Sequence, residues 1–485
     1  MTRLAGTTGL AGTTLGWVDG VRDSVVAARL ARSARLAGRR ENAGRAGSRP
    51  PRVVVVGGGF AGLGLLRHLE ARLPPDAAEL TLLSPVDHQL YTSLLPRVCA
   101  GDVEPRHLAV ATRAVLRRTV LRLGHAVSVD LGGRTVTLRT RDGGHETVEW
   151  DRLVLAPGAV TRTFDIPGLA EHALGLKNLA EAVYLRDHVL RQLEYADAAP
   201  DETARRQRCT FVVVGAGYTG TELAAQLARF TADAVKHYPR LRAEDLRWLL
   251  LDLAPRVLPE LNPALGRRAA AVLAERGVDV RLGTSVSEAH ADRVVLTDGT
   301  AVPTHTLVWC AGVAPSPLMA TLGLETVKGR LRTDEFFAIP GTEDVFALGD
   351  AAAVPDLTKP DAPPAGQTAQ HAMREGAAAA RNVAASLGHG RRRRYSHRDL
   401  GFVVDLGGTD AVGNPLGLTL SGLPAAVVTQ GYHLYSLPAW SNRLRLASDM
   451  ALAVFAPPQI VQLGFQAPAH PSISAAENTD LYGGS

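Results

Sequence analysis

The feature that most constrains the fold is a glycine-spaced loop that occurs twice. PRVVVVGGGFAGLGLLRHLE places strand-forming residues, Arg52 to Val56, directly before Gly57-Gly58-Gly59-Phe60-Ala61-Gly62 and an apolar helix. CTFVVVGAGYTGTELAAQLA repeats the order as strand, Gly215-Ala216-Gly217-Tyr218-Thr219-Gly220 and helix. In each loop the first glycine permits a tight turn, the second lets backbone approach a pyrophosphate, and the third lets the helix pack close to its strand. The diphosphate then rests on the helix N-terminus, where free N–H groups and the helix dipole favour negative charge. A lone GxGxxG has little specificity, but strand before, helix after and a further strand at the right distance give it weight. Two such units predict an α/β chain with two Rossmann-like dinucleotide-binding domains. One nucleotide reads as a bound flavin and the other as a nicotinamide that comes and goes.

The strand after each loop should end in a group that binds a ribose. In the first unit this position is Ser84, in TLLSPVDH. Its hydroxyl can hydrogen-bond a ribose, or simply close an apolar strand in a Ser-Pro turn. In the second unit RWLLLDLAP ends in Asp252. A carboxylate there accepts from both ribose hydroxyls of NADH and repels the extra phosphate of NADPH, although Arg256 keeps NADPH open. Asp252 lies further from Gly220 than the usual ~20 residues, which predicts a first helix extended through LARFTADAVKHYPRLRAEDL. Three more segments read as strands: WDRLVLAPGA ending in a Pro-Gly turn, TLVWCAGVAPSP, and EDVFALGDAAAV ending in Gly349-Asp350. Asp350 is placed either to bond a flavin's ribityl chain or a diphosphate-bound water, or to act as an ordinary helix N-cap.

With 485 residues the chain has room for two or three domains. Cys99, Cys209 and Cys310 lie far apart, with no CxxC and no His-spaced metal pattern, which points to a reducing compartment and away from a dithiol centre, zinc or iron–sulfur. Residues 1–52 hold ten Arg, two Asp and one Glu, so they carry +7 against a whole-chain charge of +5, which leaves −2 for the rest. The basic character therefore belongs to an N-terminal extension, residues 1–50, read as disordered. It lacks the apolar stretch of a secretion signal. No run of about 18 apolar residues exists to span a bilayer.

Taken in order, VVVVGGGFAG, LLSPVDHQLYTSLLPRVCAG, WDRLVLAPG, VVVGAGYTGTELA, VWCAGVAPSP, DVFALGD, AQHAMREG and the C-terminal GLPAAVVTQGYHLYSLPAWSNRLRL resemble one family over roughly residues 51–465. That family is the type II, non-proton-pumping NADH dehydrogenases, within the flavoproteins with two dinucleotide-binding domains. The resemblance implies FAD on the Gly57 unit and NADH on the Gly215 unit, the NADH domain being inserted in the FAD domain. It implies that Thr92, Leu94 and Leu95 lie along the flavin, and that Gly312 lets the nicotinamide stack on it. Glu222 resembles a family glutamate near both rings; read alone, it is a first-turn acid complementing the helix dipole. The cofactor-binding set is then Gly57, Gly59, Gly62, Ser84, Thr92, Leu95, Ala156, Gly158, Gly349, Asp350, Ala369, Gly215, Gly217, Gly220, Asp252 and Gly312. Glu222 and Gln370 are the catalytic pair, and no metal is expected. The implied reaction passes hydride from NADH to flavin N5 and then two electrons to a quinone, menaquinone or ubiquinone.

AQHAMREG departs from the family's AQxxxQ-like, glutamine-paired quinone segment. Gln370 stays able to donate to a flavin carbonyl or quinone oxygen. Arg374 and Glu375 replace the glutamines, and pair with each other, donate to a more polar acceptor, or sit solvated. Tyr432, Tyr435, Trp440, Phe455 and Phe465, with Arg443 and Arg445, form amphipathic helices suited to a membrane surface; a homodimer interface is the alternative. The expected layout is 51–165 and 331–400 for FAD, 166–330 for NAD(P)H, a small C-terminal α/β region over 401–465, and a disordered tail over 466–485. RRRR, Arg391 to Arg394, reads as an exposed loop between helix and strand. The expected location is cytoplasmic, peripheral on the inner face of the cell membrane, with no nucleic-acid partner. Two competing functions are a soluble NAD(P)H-dependent flavin oxidoreductase (its acceptor oxygen, a carrier protein or a quinone-like intermediate) and a nicotinamide-responsive redox sensor.

Overall fold

The computed structural model describes residues 49–464, so most of the basic extension, Phe465 and the C-terminal tail lie outside the described residues. The chain enters as β1 (Arg52–Val56), α1 (Phe60–Arg72) and β2 (Glu79–Ser84). An antiparallel meander, Val120–Asp130, Thr135–Thr140 and His145–Glu149, leads to β3 (Arg152–Leu155), which pairs parallel with β1 on the side away from β2. The Val-rich β1 is buried along most of its length because helices or loops cover both faces of the sheet. Each fully buried Val or Leu contributes about 1.5–3 kcal/mol relative to exposure.

The chain then crosses into a second sheet. β4 (Thr210–Val214), α2 (Tyr218–Ala234), β5 (Arg247–Asp252) and β6 (Leu307–Trp309) build a five-stranded parallel sheet, completed by Ala173–Leu174 at one edge and Val278–Leu282 at the other. An antiparallel pair of short strands, Ala159–Thr161 against Val313–Pro315, carries the chain out of the first unit and back into it. β7 (Val345–Ala347) then pairs parallel with β3 and completes the seven-stranded first sheet. The second unit is thus inserted between β3 and β7, as expected.

The expected long first helix of the second unit does not form. α2 ends at Ala234, followed by a 3-10 turn over Val235–His237, an extended Tyr238, and a loop with a second 3-10 turn at Ala243–Asp245. Pro239 explains the stop, since the residue before a proline is pushed out of helical geometry.

α3 (Ala369–Ser386) returns across the first unit and lies against α1. Arg391 to Arg394 follow it as an exposed loop. β8 (Val403–Gly407) and β9 (Asp410–Gly413), with Leu420–Ser421, form a small antiparallel sheet that meets α2. α4 (Gly422–Ser436) and α5 (Trp440–Phe455) end the described chain. Among the described residues no helix is long and apolar enough to cross a membrane.

Candidate functional site

The two glycine loops have the same internal geometry. Gly57 and Gly215 take positive φ, +103° and +108°, where a side chain would run into the carbonyl oxygens of Ala156 and Cys310. A Cβ on Gly62 or Gly220 would lie 1.9 Å from the carbonyl oxygen of Gly57 or Gly215, so only glycine lets α1 and α2 sit this close to their loops. A Cβ on Gly59 or Gly217 would meet nothing within 4 Å. These two glycines cap α1 and α2 without any side-chain hydrogen bond, whereas Asn178, Asn262 and Thr368 cap other helices with theirs. The first-turn N–H groups of α1 and α2 therefore face open space and fit a diphosphate group. This is the fit that FAD in the first unit and a nicotinamide dinucleotide in the second require.

A cavity of about 580 Å³ joins the two units. Gly57, Gly59, Ser84, Thr92, Ala156, Gly158, Gly349, Asp350, Ala369 and Gln370 border it from the first unit and α3, and Glu222 and Gly312 from the second. Gly312 has φ +102° with nothing within 4 Å of a Cβ, so its backbone faces open space. Leu94 and Leu95 do not border this space; both are buried in the core beneath Thr92. Gly62 and Gly220 act through packing, and Gly215, Gly217 and Asp252 lie around the second loop outside the cavity lining.

Several side chains have partners that the sequence does not reveal. Ser84 donates to the Val86 carbonyl at 2.8 Å and accepts from the Val86 N–H at 3.4 Å, so its hydroxyl closes the turn at the end of β2. Asp252 stands at the end of β5 and accepts from the backbone N–H groups of Ala216 and Ala254, so it braces the second loop. Asp350 lies in a short 3-10 turn and does not N-cap it; burial raises its pKa, opposed by Lys177 and Arg330. Lys177 borders the same cavity.

Glu222 is not a first-turn acid. It lies in the second turn of α2, 8 % exposed, and accepts from the Asp405 N–H at 2.8 Å. Burial holds its pKa well above the usual carboxylate range. Gln370 borders the cavity, but its amide is already engaged: Nε2 donates to the Gly401 carbonyl at 2.9 Å and Oε1 accepts from the Leu400 N–H. It therefore anchors the loop that carries Phe402. Arg374 and Glu375 neither pair nor share an environment. Glu375 is 2 % exposed and accepts from the Gly349 N–H at 2.7 Å, so the solvated reading fails for it. Arg374 is half-buried, with a buried Nη1 that has no partner among the described residues.

Sequence reasoning missed Lys177, Tyr218, Phe402 and His433 as cavity residues. Tyr218 stacks on Phe402 with ring centroids 5.5 Å apart, joining α2 to the β8 region. Nothing local marks them, because each belongs to an element whose approach depends on the whole fold.

Residues 51–376 match the family described as pyridine nucleotide-disulphide oxidoreductase. The chain is 30 % identical over 413 residues to the type II NADH:quinone oxidoreductase Ndh of Mycobacterium tuberculosis, covering 82 % of this chain and 87 % of that protein. It is 29 % identical to demethylphylloquinone reductase NdbB of Synechocystis, covering 81 % and 94 %. Among solved structures, Plasmodium falciparum NDH2 in complex with NADH superposes with a TM-score of 0.79 at 17 % identity, covering 85 % of this chain and all of that one.

Proposed function

This chain belongs to the pyridine nucleotide-disulphide oxidoreductase family, among its type II NADH:quinone oxidoreductases, and we propose that its shared cavity is where electrons pass from NADH to a quinone. The protein is an FAD-dependent NADH:quinone oxidoreductase. The observation that carries the site assignment is that one cavity joins the α1 phosphate loop of the first unit to Glu222 and Gly312 of the second. FAD held there would supply two-electron redox chemistry between NADH and the acceptor.

The chain's own residues bind and orient. The bare N-termini of α1 and α2 hold the two diphosphates, Asp252 receives the NADH ribose, and Gly312 leaves the nicotinamide room beside the first unit. Asp350 and Lys177 both line the cavity, and Lys177 opposes the burial that raises the Asp350 pKa. Glu222, whose pKa burial raises, lies at the junction of the two units and accepts from the Asp405 N–H.

The outer faces of α4 and α5 support peripheral attachment to a membrane. Leu423, Val427 and Tyr435 on α4, and Trp440, Leu444, Leu452 and Phe455 on α5, are exposed. Asp449 does not interrupt this face; it turns inward and accepts from His107 Nδ1 and the Glu104 N–H. A lipid-soluble quinone would reach the cavity from this side.

Anaerobic mixing of the purified holoenzyme with NADH should bleach the cofactor's visible absorbance, and menaquinone or ubiquinone analogues should restore it. Restoration by oxygen alone would rule out quinone as the acceptor.

A further inference from the structure

His433 is a buried titratable side chain that no binding role has absorbed. It projects inward from α4, lines the cavity and is 5 % exposed. Its Nδ1 lies 3.0 Å from the Tyr91 hydroxyl. Its Nε2 is buried and has no partner among the described residues. A buried ring nitrogen without a partner is costly, and a ligand oxygen in the cavity would relieve that cost. Tyr91 is itself buried, with its ring edge-on to both Phe60 and His433. The Ser93 and Ser436 hydroxyls flank its phenol, and both serines are half-exposed. These groups cluster at one wall of the cavity, whose lining includes both Ser93 and His433, within an otherwise apolar surround.

We propose that Ser436 or Ser93, Tyr91 and His433 relay a proton from water to the acceptor oxygen in the cavity, with His433 Nε2–H as the terminal donor. The inference rests on the quinone reading above. Reducing a quinone to a quinol adds two electrons and two protons to its two carbonyl oxygens. NADH yields two electrons and one proton as hydride, so the second proton comes from water. In the relay, Nε2 gives its proton to one quinone oxygen while Nδ1 takes the Tyr91 proton. The phenol oxygen takes a proton from a serine hydroxyl, which water refills. Each group ends with the same number of protons as it began, and the imidazole ends as the other neutral tautomer before a ring flip or reverse exchange restores it.

The surroundings suit a neutral relay. Burial lowers the His433 pKa to about 4, with Arg97 lowering and Asp405 raising it. Arg97 and Asp405 are themselves paired at 2.5 Å, so they present little net charge to the ring. Glu222, whose pKa burial raises, and Tyr432 border the same cavity. A neutral imidazole can accept on one nitrogen and donate on the other, which an imidazolium cannot.

Two variants of the holoenzyme test this, Tyr91→Phe and His433→Gln, with ferricyanide as an acceptor that takes electrons and no protons. The quinone rate should fall about 100-fold relative to the ferricyanide rate in each variant, within the range of general acid catalysis. An equal loss with both acceptors, or an unchanged ratio, would overturn the relay. A wild-type enzyme that ferricyanide reoxidises and quinone does not would instead refute the quinone reading. As a readout independent of turnover, nitrogen spectra of the ring-labelled wild-type holoenzyme should show His433 neutral and protonated on Nε2 from about pH 6 to about pH 8. A charged ring, or a resting proton on Nδ1, would reject the proposed direction of transfer.

Discussion

Glu375 accepts the Gly349 N–H from a position with almost no solvent contact, and burial raises its pKa from 4.5 to about 8. The folded protein therefore holds this proton more tightly than the unfolded chain does. Below the unfolded value both states are protonated and the group adds no pH dependence. Between that value and about 8 the folded state binds more protons, so stability falls as pH rises. Glu375→Gln preserves an acceptor for Gly349 and removes the titration. Thermal unfolding of the holoenzyme should therefore show a smaller fall in melting temperature from about pH 5 to about pH 8 in the variant. An identical fall in both proteins would mean that Glu375 is ionised in the folded state. The same residue was invisible to local reading: REG at a helix start looks like solvated polarity, and only the return of β7 beneath α3 turns Glu375 into an anchor for the Gly349-Asp350 turn.

At the scale of elements, the contact between α1 and α3 holds the first phosphate loop in place. Gly376 is its closest point, where a Cβ would stand 2.4 Å from the Ala61 carbonyl oxygen and 3.0 Å from the Leu65 nitrogen. Gly376→Ala must therefore part the two helices, and overpacking of this kind costs about 1–3 kcal/mol. The expected result is a lower melting temperature together with reduced retention of FAD through purification. Gly64→Ala on the facing helix is the control, since its nearest foreign atom is 3.7 Å away. It should be neutral or slightly stabilising, as alanine is the better helix former. Equal damage from both substitutions would show that helix contact is not what positions the loop. The element boundaries teach a related lesson. Glycine spacing located β1, α1, β4 and α2 because turn chemistry is local, whereas the length of α2 was misjudged because the Asp252 spacing was filled with helix and Pro239 was given too little weight.

Across the whole molecule, α4 and α5 both present large apolar side chains outward; α4 turns small or polar ones inward, whereas α5 also buries Leu446 and Met450. Trp440 is 71 % and Phe455 88 % exposed, while Ala425, Ala426, Thr429 and His433 are buried. On α4 this reverses the usual amphipathic arrangement, and the outward apolar side chains of both helices suit a surface that rests on lipid. Trp440→Ser with Phe455→Ser should sharply reduce co-sedimentation with anionic liposomes while leaving the melting temperature nearly unchanged, since neither side chain is in the core. Undiminished sedimentation would place membrane contact elsewhere, or exclude it.

The sequence by itself determined that two nucleotide-binding units exist, which comes first, and which glycines turn, open or pack each loop. Those properties follow from backbone conformation and contacts within a few tens of residues. The insertion of one unit in the other came only through the resemblance to a known family, which the pairing of β3 with β7 bears out. Only the tertiary structure decided that Gln370 grips the Leu400–Gly401 loop, that Glu375 is buried, that Glu222 meets the Asp405 N–H and that Tyr91 reaches His433. Each of those contacts joins residues whose separation is closed by sheet pairing and helix packing, and a buried polar group declares its role only when its partner arrives.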